Sequence, residues 1–377
     1  MKLALIISSL SGGGAERVLS LLANHWAARG VDVSLITIDG HATDCYPLDA
    51  RVRRKALNLS ADSAGLVAAV ANNWRRMAAL RSALDAIGAT VVLSFGEQTN
   101  VQVLFATRFK PIRCVISERT DPSLHPVGPI WHALRRLAYP MADALVVQTD
   151  ALLPWAQAIV GKHSAHVVPN PVRDMRHITG PQRTVRGAVV VAAGRLVAAK
   201  GFDVLLEAFA SAGREWPEWK LVILGEGPER KHLTELARKL GIMHRVSLVG
   251  WVAEPGEALA GASVFVLSSR YEGFPNALLE AMACGLPVIA TTCLGPAQII
   301  SDEIDGLLVK VDSAAELSAA MRRLMKDEKL RDRLGNNAAK VSTRYKFESV
   351  VQQWDRLLGV EVTATGAALR RTPVSLR

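Results

Sequence analysis

Apolar, β-branched runs alternate along this chain with longer stretches of helical character. In the first half the runs are Leu3 to Ser8, Val31 to Ile38, Thr90 to Ser94, Arg113 to Ser117 and Ala144 to Gln148. The second half repeats the pattern at Ala188 to Ala193, Lys220 to Leu224, Arg245 to Val249, Ser263 to Leu267, Pro287 to Ala290 and Gly306 to Val309. Short, continuously apolar strands between amphipathic helices suit a parallel sheet that is covered on both faces. The pattern predicts an α/β protein of two Rossmann-like, doubly wound domains facing across a cleft. Ligands of such sheets bind beyond the carboxyl ends of the strands.

The domains are expected at residues 1–175 and 176–345, joined through VVPNPV at 167–172 and a polar stretch to Arg186. Pro169 and Pro171 fix φ and remove donors, as a stiff crossing does. Helical stretches follow at Ala314 to Lys326 and Glu328 to Thr343. A further helix at 346–358 is expected to pack back towards the first domain, and the aperiodic end, 359–377, is expected to fray.

Composition narrows the picture by exclusion. The 377 residues are 50% apolar and 21% charged, enough core for about two domains of ~100 to 200 residues and too apolar for a disordered chain. Uninterrupted apolar runs such as Leu66 to Ala71 are far shorter than the ~18 to 20 residues that cross a bilayer. MKLALIISSL meets SGGGAER with no polar spacer or cleavage site, so it reads as a first core strand of a cytoplasmic protein. Cys45, Cys114, Cys284 and Cys293 lack CxxC spacing and read as reduced structural thiols. The nine histidines have no metal spacing; His163 and His166 are expected in a loop without a role.

Lys and Arg number 45 against 35 Asp and Glu, a net charge of +10. Between residues 51 and 81, Arg51, Arg53, Arg54, Lys55, Arg75, Arg76 and Arg81 face one acid, Asp62. Such clustering suits an anionic partner. Leu66, Val67, Val70, Trp74, Met77 and Leu80 form an apolar face at helical spacing beside Arg75, Arg76 and Arg81. That helix either rests on an anionic membrane surface or packs as a surface helix with a solvated basic edge. Nucleic acid fits poorly, because no stacking aromatics interleave with the basic residues.

Three clusters carry candidate chemistry. Ser11-Gly12-Gly13-Gly14-Ala15-Glu16-Arg17 lies between the first strand and a helix, where glycines let backbone N–H groups approach an anion. It is not GxGxxG, which argues against a dinucleotide oxidoreductase. Gly194-Arg195-Leu196-Val197-Ala198-Ala199-Lys200-Gly201 follows the first strand of the second domain; a guanidinium fork and a compact ammonium there suit a diphosphate. Glu272-Gly273-Phe274-Pro275-Asn276-Ala277-Leu278-Leu279-Glu280 places Pro275 at a helix start, Glu272 before it and Glu280 on its second turn. A carboxylate accepts from two hydroxyls at once, so Glu280 suits a ribose diol and Glu272 a sugar hydroxyl. No Asp-x-Asp occurs, so no metal is expected and the cations with the helix N-terminus must balance a diphosphate.

GGGAER, VVPNPV, GRLxxxKG, GEGPER, LVGWV and EGFPNALLEAMACGLPVIA, in this order up to about residue 358, resemble retaining glycosyltransferases of the GT-B fold, family 4. The resemblance implies that Arg195 and Lys200 hold a nucleotide diphosphate, Glu280 its ribose and Glu272 the donor sugar. It also implies backbone contacts from Gly273 to Ala277, closure of Gly13 and Gly14 on the diphosphate, and a base contact at Val252 with Glu226 nearby. Where many members carry a histidine after the fourth strand, Val115-Ile116-Ser117-Glu118-Arg119-Thr120-Asp121-Pro122 offers Glu118 and Arg119. This resembles members that build bacterial exopolysaccharides and lipid-linked oligosaccharides. Glu118 would then orient an acceptor hydroxyl and Arg119 bind a lipid diphosphate or the donor, unless the two form a buried ion pair.

The implied activity is metal-independent, retaining transfer of a sugar from a nucleotide diphosphate donor, UDP-sugar favoured over GDP-sugar, with no cofactor. The implied acceptor is a polyprenyl diphosphate-linked glycan, reached by peripheral association through Arg75, Arg76 and Arg81 with the cytoplasmic face of the inner membrane. A sugar-nucleotide epimerase of the same architecture and a non-catalytic sugar-nucleotide-binding protein are the alternatives.

Overall fold

The computed structural model describes residues 1–60, 65–124, 128–173, 175 and 187–360. Their strands form two all-parallel sheets. The first contains β1 (Lys2–Ile7), β2 (Asp32–Thr37), β3 (Arg53–Ala56), β4 (Val91–Phe95), β5 (Arg113–Ser117), β6 (Ala144–Val147) and β7 (Ala165–Val167), in the order β3-β2-β1-β4-β5-β6-β7. The second contains β8 (Val189–Ala193), β9 (Lys220–Leu224), β10 (Val246–Gly250), β11 (Val264–Leu267), β12 (Val288–Thr291) and β13 (Leu307–Val309), in the order β10-β9-β8-β11-β12-β13. In each sheet the strand order reverses beside its first strand, between β1 and β4 and between β8 and β11. Loops leaving such neighbours diverge to opposite faces and open a crevice.

Two short strands escape the hydrophobic pattern. β3 reads Arg53-Arg54-Lys55-Ala56 and β7 only Ala165-His166-Val167, and both are sheet edges. Charge on an edge strand blocks pairing with other chains, so β3 cannot look like a core strand. His166, expected in a loop, lies in β7. The stretch Glu328 to Thr343 is divided into Glu328–Ala338 and Val341–Arg344.

One face of the first sheet is covered by the helix Gly14–Ala28 and by the helix Phe347–Leu358 returning from the far end of the chain. Trp26, Phe95, Val350, Val351 and Trp354 share one core there. Asp355 fixes the return, accepting from Trp26 Nε1 at 2.8 Å and from Arg29 at 2.7 Å. The chain therefore crosses between domains twice, and the strands of that crossing touch: Val172 N–H donates to the Tyr345 carbonyl at 2.8 Å. The polar stretch around the expected boundary, residues 174 and 176–186, and the tail from residue 361 lie outside the described residues.

The other face carries the helices Leu66–Ile87, Glu97–Thr107, Pro129–Ala138 and Leu153–Val160. A 22-residue helix is about 33 Å long at ~1.5 Å per residue, whereas strands of five or six residues span about 17–20 Å. Leu66–Ile87 therefore overhangs the sheet. Its second half is seated through Leu80, Ala83 and Leu84, while Val67, Val70 and Trp74 in the first half are 85%, 58% and 67% exposed.

The basic window is corrected by the structure. Arg51, Arg53 and Arg54 pair with Asp49, Asp32 and Asp44, acids outside the window, while Asp62 is outside the described residues. Arg76 donates to the Leu59 carbonyl at 2.7 Å, and Arg81 to the carbonyls of Ala106 and Arg108 at 3.1 and 3.3 Å. Those two arginines close loops and a helix end, as cations near C-terminal carbonyls do. Arg75 is exposed beside the apolar stripe.

Candidate active site

The crevice of the second sheet brings two of the sequence clusters together. The loop after β8 is Gly194 to Gly201 and the loop after β11 runs to Pro275, and β8 and β11 are neighbours. Gly201 has φ +58°, and a Cβ there would lie 2.2 Å from the Ser268 carbonyl oxygen, so only glycine lets the loops touch. Across that contact Lys200 Nζ donates to Glu272 Oε1, and Ser269 Oγ donates to the same oxygen at 2.8 Å. Arg195 stands exposed at the strand end and forms no ion pair with any described residue. Pro275 caps the helix Asn276–Ala283, whose free N–H groups face the cleft with their partial positive charge.

The first domain closes on this loop. Asn276 Nδ2 donates to the Gly14 carbonyl at 2.9 Å, and Arg17 reaches Glu280 at 2.8 Å. The Tyr46 hydroxyl donates to the Gly13 carbonyl at 3.1 Å, and a Cβ on Gly12 would lie 2.7 Å from Trp251 Nε1. A Cβ on Gly273 would lie 2.3 Å from the Arg119 carbonyl oxygen, so the loop after β11 passes the end of β5 backbone to backbone. Arg119 lies over the Phe95 ring at 4.2 Å and donates to Asn170 Oδ1. Asn170, from the crossing, donates onward to the Phe274 carbonyl at 2.8 Å and to Asn276 Oδ1 at 2.7 Å.

Burial governs the electrostatics. It pushes the Glu280 carboxyl up to about 7, with the charge of Arg173 opposing, and the Arg17 guanidinium lies 2.8 Å from that carboxyl. It pushes the Arg119 guanidinium down to about 9. The Tyr46 phenol is raised well above its ordinary value, first by burial and then by the carboxylates of Glu16 and Glu280, with Arg195 opposing.

Gly13, Gly14, Arg119, Arg195, Lys200, Glu272, Gly273, Phe274, Pro275, Asn276, Ala277 and Glu280 thus line or adjoin one cleft. Glu226 lies beside Gly250 at the end of β10, next to Val252, and its carboxylate is engaged by Arg230 at 2.8 Å. Glu118 is a correction. It is 1% exposed, accepts from the Tyr139 hydroxyl and lies 3.8 Å from Arg135, inside the helix-covered core rather than in the cleft. Adjacent residues of an extended segment point to opposite sides, so Arg119 reaches the cleft while Glu118 cannot. Arg75, Arg76 and Arg81 belong to the separate helix Leu66–Ile87.

Sequence reasoning passed over Arg17, Tyr46, Asn170 and Trp251. Arg17 stood in a motif read for its glycines, and Asn170 between two prolines read for stiffness. Tyr46 lies in a loop with no pattern.

Two parallel-sheet domains, with two loops meeting at the switch point of the second sheet, define a GT-B protein. Residues 181–341 match the family described as Glycosyl transferases group 1, and residues 13–171 match the Glycosyl transferase 4-like domain. The chain is 30% identical over 362 residues, 95% of its length and 98% of the relative's, to a Campylobacter jejuni enzyme. That enzyme is named GalNAc-alpha-(1->4)-GalNAc-alpha-(1->3)-diNAcBac-PP-undecaprenol alpha-1,4-N-acetyl-D-galactosaminyltransferase. The chain belongs to this glycosyltransferase family. It is also 37% identical over 225 residues, 59% of its own length, to an exopolysaccharide phosphotransferase of Streptomyces coelicolor, and the match spans only 24% of that protein. S. aureus TarM, solved with UDP, alpha-GlcNAc-glycerol and Fondaparinux, shares the fold at TM-score 0.80 and 14% identity, over 95% of this chain and 100% of TarM.

Proposed function

We propose that this glycosyltransferase moves a sugar from a nucleotide diphosphate donor, a UDP-sugar before a GDP-sugar, to a hydroxyl of a lipid-linked glycan, retaining anomeric configuration without a metal. The reaction would serve the assembly of a bacterial surface polysaccharide or oligosaccharide. The observation that carries the reading is the meeting of Lys200 and Glu272 at the switch point, with Arg195 uncommitted beside them and the helix N-terminus of Asn276–Ala283 facing the cleft.

A sugar–phosphate bond breaks as negative charge builds on the leaving diphosphate. Arg195, Lys200 and the helix N-terminus supply positive charge where that charge grows, which lowers the barrier more than it tightens the ground state. Glu280 accepts from the ribose diol and Glu272 from the donor sugar. Contacts between Gly14 and Asn276 and between Gly273 and Arg119 exclude water when the domains meet. The acceptor proton leaves towards the diphosphate on the same face of the sugar, so no protein nucleophile is required.

The overhanging half of Leu66–Ile87 supports the membrane part of the reading. That helix follows β3 in a parallel sheet, so its first half lies at the carboxyl-end side, the side of the cleft. Val67, Val70 and Trp74 with exposed Arg75 present apolar area and charge to an anionic surface. No helix among the described residues is long and apolar enough to cross a membrane.

The test is a donor panel. Purified protein receives UDP-, GDP- or ADP-sugars, with or without a short polyprenyl diphosphate sugar and with chelator present. Labelled lipid formed from a UDP- or GDP-sugar supports the proposal. Isomerised donor without acceptor would replace it with an epimerase.

A further inference from the structure

Glu280 is 3% exposed and its cross-cleft partner is a side chain of this same chain, Arg17. A buried carboxylate needs a cation or hydrogen-bond donors. The partner is only half used. Arg17 meets Glu280 through one ω-nitrogen, while the other, also buried, has no hydrogen-bond partner. A guanidinium holds five N–H donors in a rigid fork suited to two-point contact with phosphate oxygens. Arg17 is the fourth residue of the helix Gly14–Ala28, just behind the glycine loop whose Gly14 touches Asn276. Arg195, which forms no ion pair with any described residue, stands at the end of β8 in the same domain as Glu280, across the cleft from Arg17.

We propose that Arg17 is a diphosphate ligand that shares its guanidinium with Glu280: it pairs with that carboxylate here, and passes to phosphate oxygens when a ribose diol takes its place. This rests on the donor-site reading above. The exchange leaves no charge stranded. Glu280 trades one guanidinium for two hydroxyl donors, and the guanidinium trades a one-point carboxylate contact for a two-point phosphate contact. The diphosphate then bridges the domains, with Arg17 on one side and Arg195 and Lys200 on the other, so occupancy and closure are coupled. No covalent bond is made or broken in the exchange.

The experiment compares uridine, UMP and UDP, with the guanosine series in parallel, binding to the wild type, Arg17→Ala and Arg17→Lys by calorimetry and ligand-observed NMR. A two-point charged contact implies about a 10- to 100-fold loss of UDP affinity in Arg17→Ala, while uridine binds as well as before or better because Glu280 has lost its competitor. Arg17→Lys is expected to recover part of the loss, and its melting temperature checks that the site is intact. Equal weakening of uridine and UDP, or unchanged UDP affinity, would overturn the proposal and leave Arg17 as a brace for Glu280. If the wild type binds no nucleoside diphosphate, the donor reading itself falls, and this inference with it.

Discussion

The Asn170 side chain and the Phe274 carbonyl are joined by a 2.8 Å hydrogen bond between the inter-domain crossing and the loop after β11. The same amide group meets Arg119 and Asn276, so one linker residue sets the distance between the end of β5 and the start of the helix Asn276–Ala283. Asn170→Ala leaves buried groups on both domains unpaired, at about 1–3 kcal/mol for each polar group stranded. Turnover is expected to fall by about tenfold or more while the chain stays folded, because misplaced donor-loop geometry costs rate. Initial rates and melting curves on the same preparation check this, and unchanged turnover would show that the hub does not set catalytic geometry.

The apolar overhang and the clamped arginines separate two kinds of surface. Replacing Val67, Val70 and Trp74 together by serine is expected to release the protein from anionic vesicles with little change in melting temperature, since these side chains are exposed. Arg76→Glu and Arg81→Glu are expected to lower the melting temperature, because each removes a contact to backbone carbonyls. Vesicle sedimentation at low salt with thermal melts distinguishes them. Undiminished sedimentation of the serine variant would rule out this face as the docking surface.

Glu118 is expected to matter for folding and not for chemistry. Tyr139→Phe removes its buried hydroxyl partner and is expected to cost about 1–3 kcal/mol in urea unfolding, with turnover per folded molecule unchanged. A selective loss of turnover in Tyr139→Phe would return Glu118 to the reaction.

Thiol reactivity reports on burial. Cys114 and Cys293 are pushed up to about 11 by burial, so almost no thiolate exists there at pH 8, and Cys284 is buried too. Cys45 is partly exposed. Native protein is expected to label with iodoacetamide at Cys45 first, and all four cysteines to label in denaturant. Early labelling of Cys114 or Cys293, read by mass spectrometry, would contradict the packing.

What was legible in the sequence follows from what makes a pattern. Buried parallel strands are apolar on both faces, so the inner strands of both sheets stand out, whereas the edge strand Arg53–Ala56 is charged and so resists pairing. Glycine and proline at the crevice were readable, because Gly201 tolerates a contact no other residue can. Arg17, Tyr46 and Asn170 were not, since their roles arise from closure of two domains far apart in sequence. Glu118 and Arg119 show the limit most clearly: neighbours in one motif, they point to opposite sides, and no composition rule tells which one faces the ligand.

The most direct measurement is the initial rate of labelled sugar transfer from a nucleotide diphosphate sugar to a polyprenyl diphosphate-linked acceptor, for the wild type and Lys200→Ala. A rate that falls by a factor of tens or more in Lys200→Ala, with the fold retained, is the predicted result. Near-normal transfer by that variant would contradict the account, because the charge of the leaving diphosphate would then be met elsewhere.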